Sequence, residues 1–207
     1  MKVLLINGSP HSKGCTYTAL TEVEKVLKEE GIETEIYHIG VQPVQSCTAC
    51  GQCKGVYKCV FNDAVNEAIT KMEQADGLII GSPVHYASAS GAITAFMDRM
   101  FYAGNCFRFK PGAAIVSARR GGTTAALDQL NKYFTISSMP VVSSTYWNMV
   151  HGNSVEDVLQ DEEGLQVMRN LGRNMAWLMK SIEAGKNGGV ELPKREKRVF
   201  TNFIRRG

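Results

Sequence analysis

Four of the six cysteines in this 207-residue chain, Cys47, Cys50, Cys53 and Cys59, crowd into the stretch CTACGQCKGVYKC. Thiols at that spacing serve as a disulfide framework, a structural zinc site or the ligands of an iron–sulfur cluster. Disulfides fit worst, because six cysteines in 207 residues fall well below the roughly 8–10% of short disulfide-built chains. The apolar run after Lys2 is too short for a signal-peptide core, so the chain reads as cytoplasmic, where thiols stay reduced. Zinc accepts four sulfurs, but its knuckles usually set two Cys-x2-Cys pairs further apart. A cubane asks four thiolates to converge on one small object; the short spacings supply three and Cys59, five residues on, closes the site. Spacing alone leaves cluster, zinc or vacant thiols, and redox disulfides open.

A second group of residues suits phosphate. In NGSPHSKGCTYT, glycines at 8 and 14 let the backbone curl with its N–H groups inward, while Ser9, Ser12, Thr16 and Thr18 bring hydroxyls to a helix start and His11 adds a donor. The loop is neither a Walker motif nor the dinucleotide Gly-x-Gly-x-x-Gly; its bland alternative is a capped turn. In GSPVHYASASGA, Val84, His85 and Tyr86 form a wall on which a flat heterocycle can stack, with Ser88 and Ser90 placed to cap the next helix. In SARRGGTT, Arg119 and Arg120 precede a glycine pair, where cations or amides stabilise negative charge on a reduced flavin's pyrimidine edge; one of the two arginines is expected to reach it. One loop for phosphate and two for a ring describe a mononucleotide site.

Strand and helix must alternate to bring these loops together. KVLLIN suits a strand buried on both faces, and Leu20, Val23 and Leu27 mark a helix ending near Gly31. ETEIYHI is a second strand, Ala64 to Ala75 a helix, GLIIGSP a third strand, Gly91 to Phe101 a helix, and GAAIVSA a fourth strand. A helix over Thr123 to Tyr133 and a fifth strand near MPVVSS follow, then a long helix with Leu165, Met168, Leu171, Met175, Leu178 and Ile182 on one face. This predicts an α/β, doubly wound five-stranded parallel sheet in the flavodoxin-like order 2-1-3-4-5, with sites at the carboxyl ends of its strands. Tyr146, Trp147 and His151 are expected beyond the fifth strand, covering a flavin or packing under a loop. Asp98 and Arg99 read as a structural pair, and Cys106 as core or reactive. A net charge of +3, much of it at the C-terminus, gives no nucleic-acid face.

The GSP and GCT of the first loop, the GSPVHYASASGAITAFMDR segment and the RRGG loop resemble the flavodoxin-like NAD(P)H-dependent FMN reductases. With Cys47-x2-Cys50-x2-Cys53-x5-Cys59, the chain is similar to their iron–sulfur flavoprotein branch, over roughly residues 1–150. The resemblance implies FMN on Ser9, His11, Ser12, Cys15, Thr16, Tyr17, Pro83, Val84, His85, Tyr86, Ser88, Ser117, Arg119, Arg120, Gly121, Gly122 and Trp147, and a [4Fe–4S] cluster on Cys47, Cys50, Cys53 and Cys59. The family's first loop often carries Arg and Asn where this chain has His11 and Cys15, which leaves Cys15 its backbone N–H. Family members take electrons from NAD(P)H or ferredoxin to small oxidants, so the expected acceptor is a quinone, nitroaromatic or oxygen species. The expected assembly is a homodimer or homotetramer, with no nucleic acid and no membrane. A non-enzymatic electron carrier, a cluster-free NAD(P)H:FMN or quinone reductase, and a zinc-stapled domain are the alternatives. Residues 1–184, with a cysteine loop at 41–62, form the expected FMN domain. Residues 185–207, carrying Val199, Phe200, Phe203 and Ile204, form an expected oligomer arm.

Overall fold

In the computed structural model, which describes residues 1–197, 199–201 and 203, Val3 to Asn7 are wholly buried, as a strand covered on both faces must be. The strands are β1 (Lys2–Asn7), β2 (Glu33–His38), β3 (Gly77–His85), β4 (Ser88–Ala89), β5 (Gly112–Ala118) and β6 (Met149–His151). The helices are α1 (Cys15–Glu29), α2 (Ala64–Glu73), α3 (Gly91–Ala103), α4 (Thr123–Ile136), α5 (Val155–Gln160) and α6 (Glu162–Asn187). Five strands run parallel in the order β2-β1-β3-β5-β6, while β4 turns back antiparallel on the end of β3. Counting parallel strands alone, this is the expected 2-1-3-4-5 order.

Side-chain alternation divides the interior. Leu4, Ile6, Leu78, Ile80, Ala114 and Val116 face α2, α3 and α4; Val3, Leu5, Ile79, Ala113 and Ile115 face α1 and α6. Consecutive residues of one strand thus enter opposite layers, the period of two that a pleated strand imposes.

Three expectations need correction. The fifth parallel strand is Met149–His151, not MPVVSS; the earlier segment makes only an isolated bridge from Val141 to Gly112. Ser144 Oγ donates to the Val167 carbonyl at 2.6 Å and Asn174 Nδ2 to the Ser143 carbonyl at 2.8 Å, which draws the chain onto α6 before it rejoins β5. Tyr146 and Trp147 therefore precede the last strand, and His151 lies in it. Asp98 and Arg99 do not pair with each other: Asp98 accepts the Tyr133 hydroxyl, and Arg99 turns to Asp63. On α6 the buried stripe is centred on Val167, Met168, Leu171, Met175 and Met179. Leu165 and Leu178 pack at its margin. Val199, Phe200 and Phe203 are exposed; Ile204 lies outside the described residues. No helix among the described residues is long and apolar enough to cross a membrane.

Candidate functional site

The loop between β1 and α1 is held by its own polar groups. Asn7, fully buried at the end of β1, donates through Nδ2 to the carbonyls of Ser12 at 3.1 Å and His11 at 3.4 Å, and its Oδ1 accepts from Ser9 N at 3.1 Å. Ser9 Oγ accepts from the His11 backbone at 3.1 Å. His38, at the end of β2, places Nε2 2.8 Å from the Ser9 carbonyl, which fixes that nitrogen as the protonated one. Gly8 N donates to the Gly81 carbonyl at 2.8 Å, and Ser90 Oγ donates to the Gly8 carbonyl at 3.1 Å. A Cβ on Gly8 would stand 2.7 Å from Ile93 and 2.9 Å from the Gly81 oxygen, so only glycine lets the first loop close on β3.

Helix capping distinguishes the helix starts. Asp63, Ser90, Ser154 and Asp161 cap α2, α3, α5 and α6 with their side chains. Of the three helices that open on the predicted loops, α3 is thus capped, whereas α1 and α4 follow Gly14 and Gly122 and have no side-chain cap. Their first-turn N–H groups and positive dipole ends stay available to an anion.

Of the predicted phosphate residues, His11 and Ser12 are exposed just before the start of α1, and Tyr17 is half-buried within its first turn. Thr16 is buried, and its hydroxyl lies 2.8 Å from that of Ser117; one of the two donates to the other, which ties α1 to β5 and leaves the accepting hydroxyl its own proton. Cys15 opens α1 with its sulfur 3.9 Å from the Gly152 carbonyl, and burial pushes its thiol pKa up.

The predicted wall is a β-hairpin. Val84 pairs with Ala89 and His85 with Ser88, across a tip where Tyr86 and Ala87 both have positive φ, 50° and 58°; such a pair is a type I′ turn. Ser82 Oγ donates to the Pro83 carbonyl at 2.8 Å and accepts from Ser90 N at 3.0 Å, bracing the base. Ser90 caps α3 as expected; Ser88 does not, because its hydroxyl donates to Gln129 Oε1 at 2.7 Å. The Tyr86 ring is fully exposed. Gly122 has φ of 92°, and a Cβ there would come within 2.5 Å of the Ala87 Cα, so the Arg119–Gly122 loop closes against the hairpin tip. Arg119, Arg120 and Gly121 are exposed. Trp147 packs edge-on to Tyr146, ring centres 4.8 Å apart, just before the edge strand β6. A cavity of about 150 Å³ bounded by Met1, Asp76, Lys110 and Pro111 lies at the opposite, amino-terminal edge.

The cysteine loop leaves β2 and returns at α2. Cys47 and Cys50 are exposed, Cys53 and Cys59 half-buried, and all are free thiols. The four line one cleft with Phe61, Arg99 and Tyr102. Ala49, Gly51, Gly55 and Tyr57 have φ between 53° and 78°, so the backbone reverses between successive cysteines. The backbone N–H of Gln52, then the Thr48 side chain, hold the Cys50 thiol below its ordinary pKa. Cys59 is clasped: Asn66 accepts from its N–H at 2.7 Å and donates to its carbonyl at 2.9 Å, and Arg99 Nε lies 3.2 Å from its sulfur. Burial works against the Arg99 charge, but hydrogen bonds to Asp63 and then Cys59 outweigh it and raise the pKa.

Four residues of this arrangement escape sequence reasoning. Asn7 offers a faint signal, a polar residue ending an apolar strand; His38, Asn66 and Arg99 offer none, since their partners are up to 40 residues distant.

Residues 1–154 match the family model described as NADPH-dependent FMN reductase. An iron–sulfur flavoprotein of Methanocaldococcus jannaschii is 35% identical over 192 residues, covering 88% of this chain and 100% of that one. Another, of Methanosarcina thermophila, is 26% identical over 193 residues, covering 90% and 100%. An archaeal flavodoxin structure superposes with a TM-score of 0.60 at 16% identity over 87% of this chain and 99% of that one, a likeness of fold alone. The chain thus belongs to the NADPH-dependent FMN reductase family, in its iron–sulfur flavoprotein branch, and is a flavin-dependent oxidoreductase.

Proposed function

We propose that this protein passes electrons from NAD(P)H or reduced ferredoxin, through FMN and a [4Fe–4S] cluster, to a small acceptor such as a quinone, nitroaromatic or oxygen species. One observation carries the flavin assignment: of the three helices that open on the predicted loops, α1 after the phosphate loop and α4 after the arginine loop have no side-chain cap, while Ser90 caps α3 behind the stacking wall. The FMN phosphate is assigned to the uncapped start of α1, where the N–H groups of Cys15, Thr16 and Tyr17, the Ser9 and Ser12 hydroxyls and His11 stand ready. Thr16 and Ser117 act one step removed, by locking α1 to β5. Pro83, Val84, His85 and Tyr86 offer the stacking wall, held still by Ser82, and Ser88 braces it through Gln129. Gly121, Gly122 and one of Arg119 and Arg120 supply donors or charge to the pyrimidine edge.

Cys47, Cys50, Cys53 and Cys59 are assigned to the cluster. Zinc knuckles usually set two Cys-x2-Cys pairs further apart than this loop does. Sulfurs spaced around a cleft suit a group that offers each thiolate its own metal. Once bound, FMN supplies hydride and single-electron chemistry and the cubane single electrons.

The exposed Tyr146 and Trp147, with Val199, Phe200 and Phe203, support a homodimer or homotetramer in which Trp147 covers a neighbouring subunit's flavin. The segment after α6, whose Pro193 carbonyl accepts from Arg108 at 3.3 Å, is the proposed arm beside an FMN domain of residues 1–184. A cytoplasmic setting fits the free thiols.

Anaerobically purified protein should release FMN by mass spectrometry and contain four irons and four sulfides per chain. Steady-state turnover with NAD(P)H and a quinone separates this reading from a non-enzymatic carrier, which would be reduced once and stop. Protein lacking flavin overturns the proposal.

A further inference from the structure

Arg99 is the largest wholly buried side chain among the described residues, with none of its side-chain surface exposed. A guanidinium has five N–H bonds, and all five are used. Both terminal nitrogens hold Asp63, at 2.7 and 2.9 Å. The remaining terminal N–H groups reach the carbonyls of Gln45 at 3.2 Å and Phe61 at 3.3 Å. Nε is left for the Cys59 sulfur at 3.2 Å, and the guanidinium lies 5.0 Å from the centre of the Phe61 ring. Gln45 stands before the first cysteine and Phe61 after the last, so one side chain joins both flanks of the loop and touches one of its sulfurs. An ordinary structural ion pair needs only the Asp63 contacts.

We propose that Arg99 is a positioning residue for the cluster assigned above, and that it raises the cluster's reduction potential by donating Nε–H to the Cys59 sulfur. The inference rests on that assignment. A hydrogen bond and a positive charge at a thiolate withdraw electron density and so favour the reduced, more negative cluster. Asp63 opposes this, because its carboxylate partly neutralises the guanidinium beside the sulfur. The two partners therefore pull the potential in opposite directions. Lysine cannot replace arginine here, since a point charge on a flexible stem cannot hold a carboxylate bidentately while aiming an N–H at Sγ.

The test is the cluster midpoint potential of the anaerobic holoprotein, followed by electron paramagnetic resonance, alongside iron and sulfide counts. Arg99→Lys should move the one-electron equilibrium about tenfold toward the oxidised cluster, about 59 mV lower. Asp63→Asn keeps a side chain able to accept from Val65 N, the contact Asp63 makes at the start of α2, and should move the potential upward. A purely structural role predicts no such pair of opposite signs. Should Arg99→Lys lose its iron, an upward shift in Asp63→Asn still supports the role and an unmoved potential overturns it. Iron-replete variants with the wild-type potential overturn the role of Arg99 alone; wild type without iron and sulfide overturns the cluster assignment and this role with it.

Discussion

The phosphate loop and the cysteine loop leave neighbouring strands, β1 and β2, yet they are built differently. In residues 8–14 nearly every turn is fixed from inside the protein, by Asn7, Ser9, His38 and Ser90. The cysteine loop is fixed mainly where it returns, by Asn66 on the Cys59 backbone and Arg99 on its sulfur and flanks. Within residues 46–58 the backbone bonds are short turns, such as Lys54 N to the Gly51 carbonyl and Tyr57 N to the Cys53 carbonyl. A flavin arriving at the first site meets a shape already made, which lowers the ordering cost of binding. On the proposed assignment, a cluster at the second site would contribute to folding the loop that holds it. The difference teaches that the first loop is shaped by the fold, whereas the second is left for a bound group to complete.

Metal removal should widen this contrast most. Chelating the iron is expected to speed amide exchange across residues 46–58 by about a hundredfold, about 2.8 kcal/mol at 1.4 kcal/mol per tenfold, with residues 3–9 unchanged. Equal protection with and without metal would make the cysteine loop as preformed as its neighbour. Next, Gly8→Val drives a side chain into Ile93 and the Gly81 carbonyl. It should cost about 2 kcal/mol and lower flavin retention, while iron content stays near wild type; ultrafiltration and metal analysis read both. Ser9→Ala removes one hydroxyl from the proposed phosphate site and should weaken FMN binding about tenfold by fluorescence titration.

The smallest expected effect belongs to Glu35 on β2, whose carboxylate binds Lys2 at 2.8 Å and Lys71 at 2.6 Å near the root of the cysteine loop. Hydrogen bonds to those two lysines hold its pKa below the ordinary 4.5. A carboxylate depressed on folding stabilises the native state above its unfolded pKa, and the benefit fades as pH falls through the native value. Glu35→Gln should lower the melting temperature by about 1–2 °C at neutral pH, and the difference should shrink progressively as the pH falls below the ordinary carboxylate value of 4.5. A difference that grows on acidification would contradict this.

How much of this was legible in the sequence follows from how local each signal is. KVLLIN and GAAIVSA announce buried strands because both faces are covered, so no alternation is needed. The three loops could be placed because glycine, serine and arginine at strand ends carry their own chemistry. The fifth strand was misplaced because MPVVSS has strand composition, while the bonds that divert it, from Ser144 and Asn174 to their partners, lie 23 and 31 residues apart. Asp98 and Arg99 look like partners because they are adjacent, yet neighbouring helix positions face different ways. Arg99 finds Asp63 36 residues back and Asp98 finds Tyr133 35 residues on.

Stopped-flow reduction of wild type and Cys59→Ala, each with NAD(P)H and with reduced ferredoxin, tests the two-centre account most directly. On the proposed assignment, hydride from a nicotinamide reaches the flavin directly, whereas single electrons from ferredoxin enter through the cluster. The variant should keep its FMN and its rate with NAD(P)H while losing most of its rate with ferredoxin. Equal slowing with both donors would contradict the account and leave the cysteine loop a structural staple.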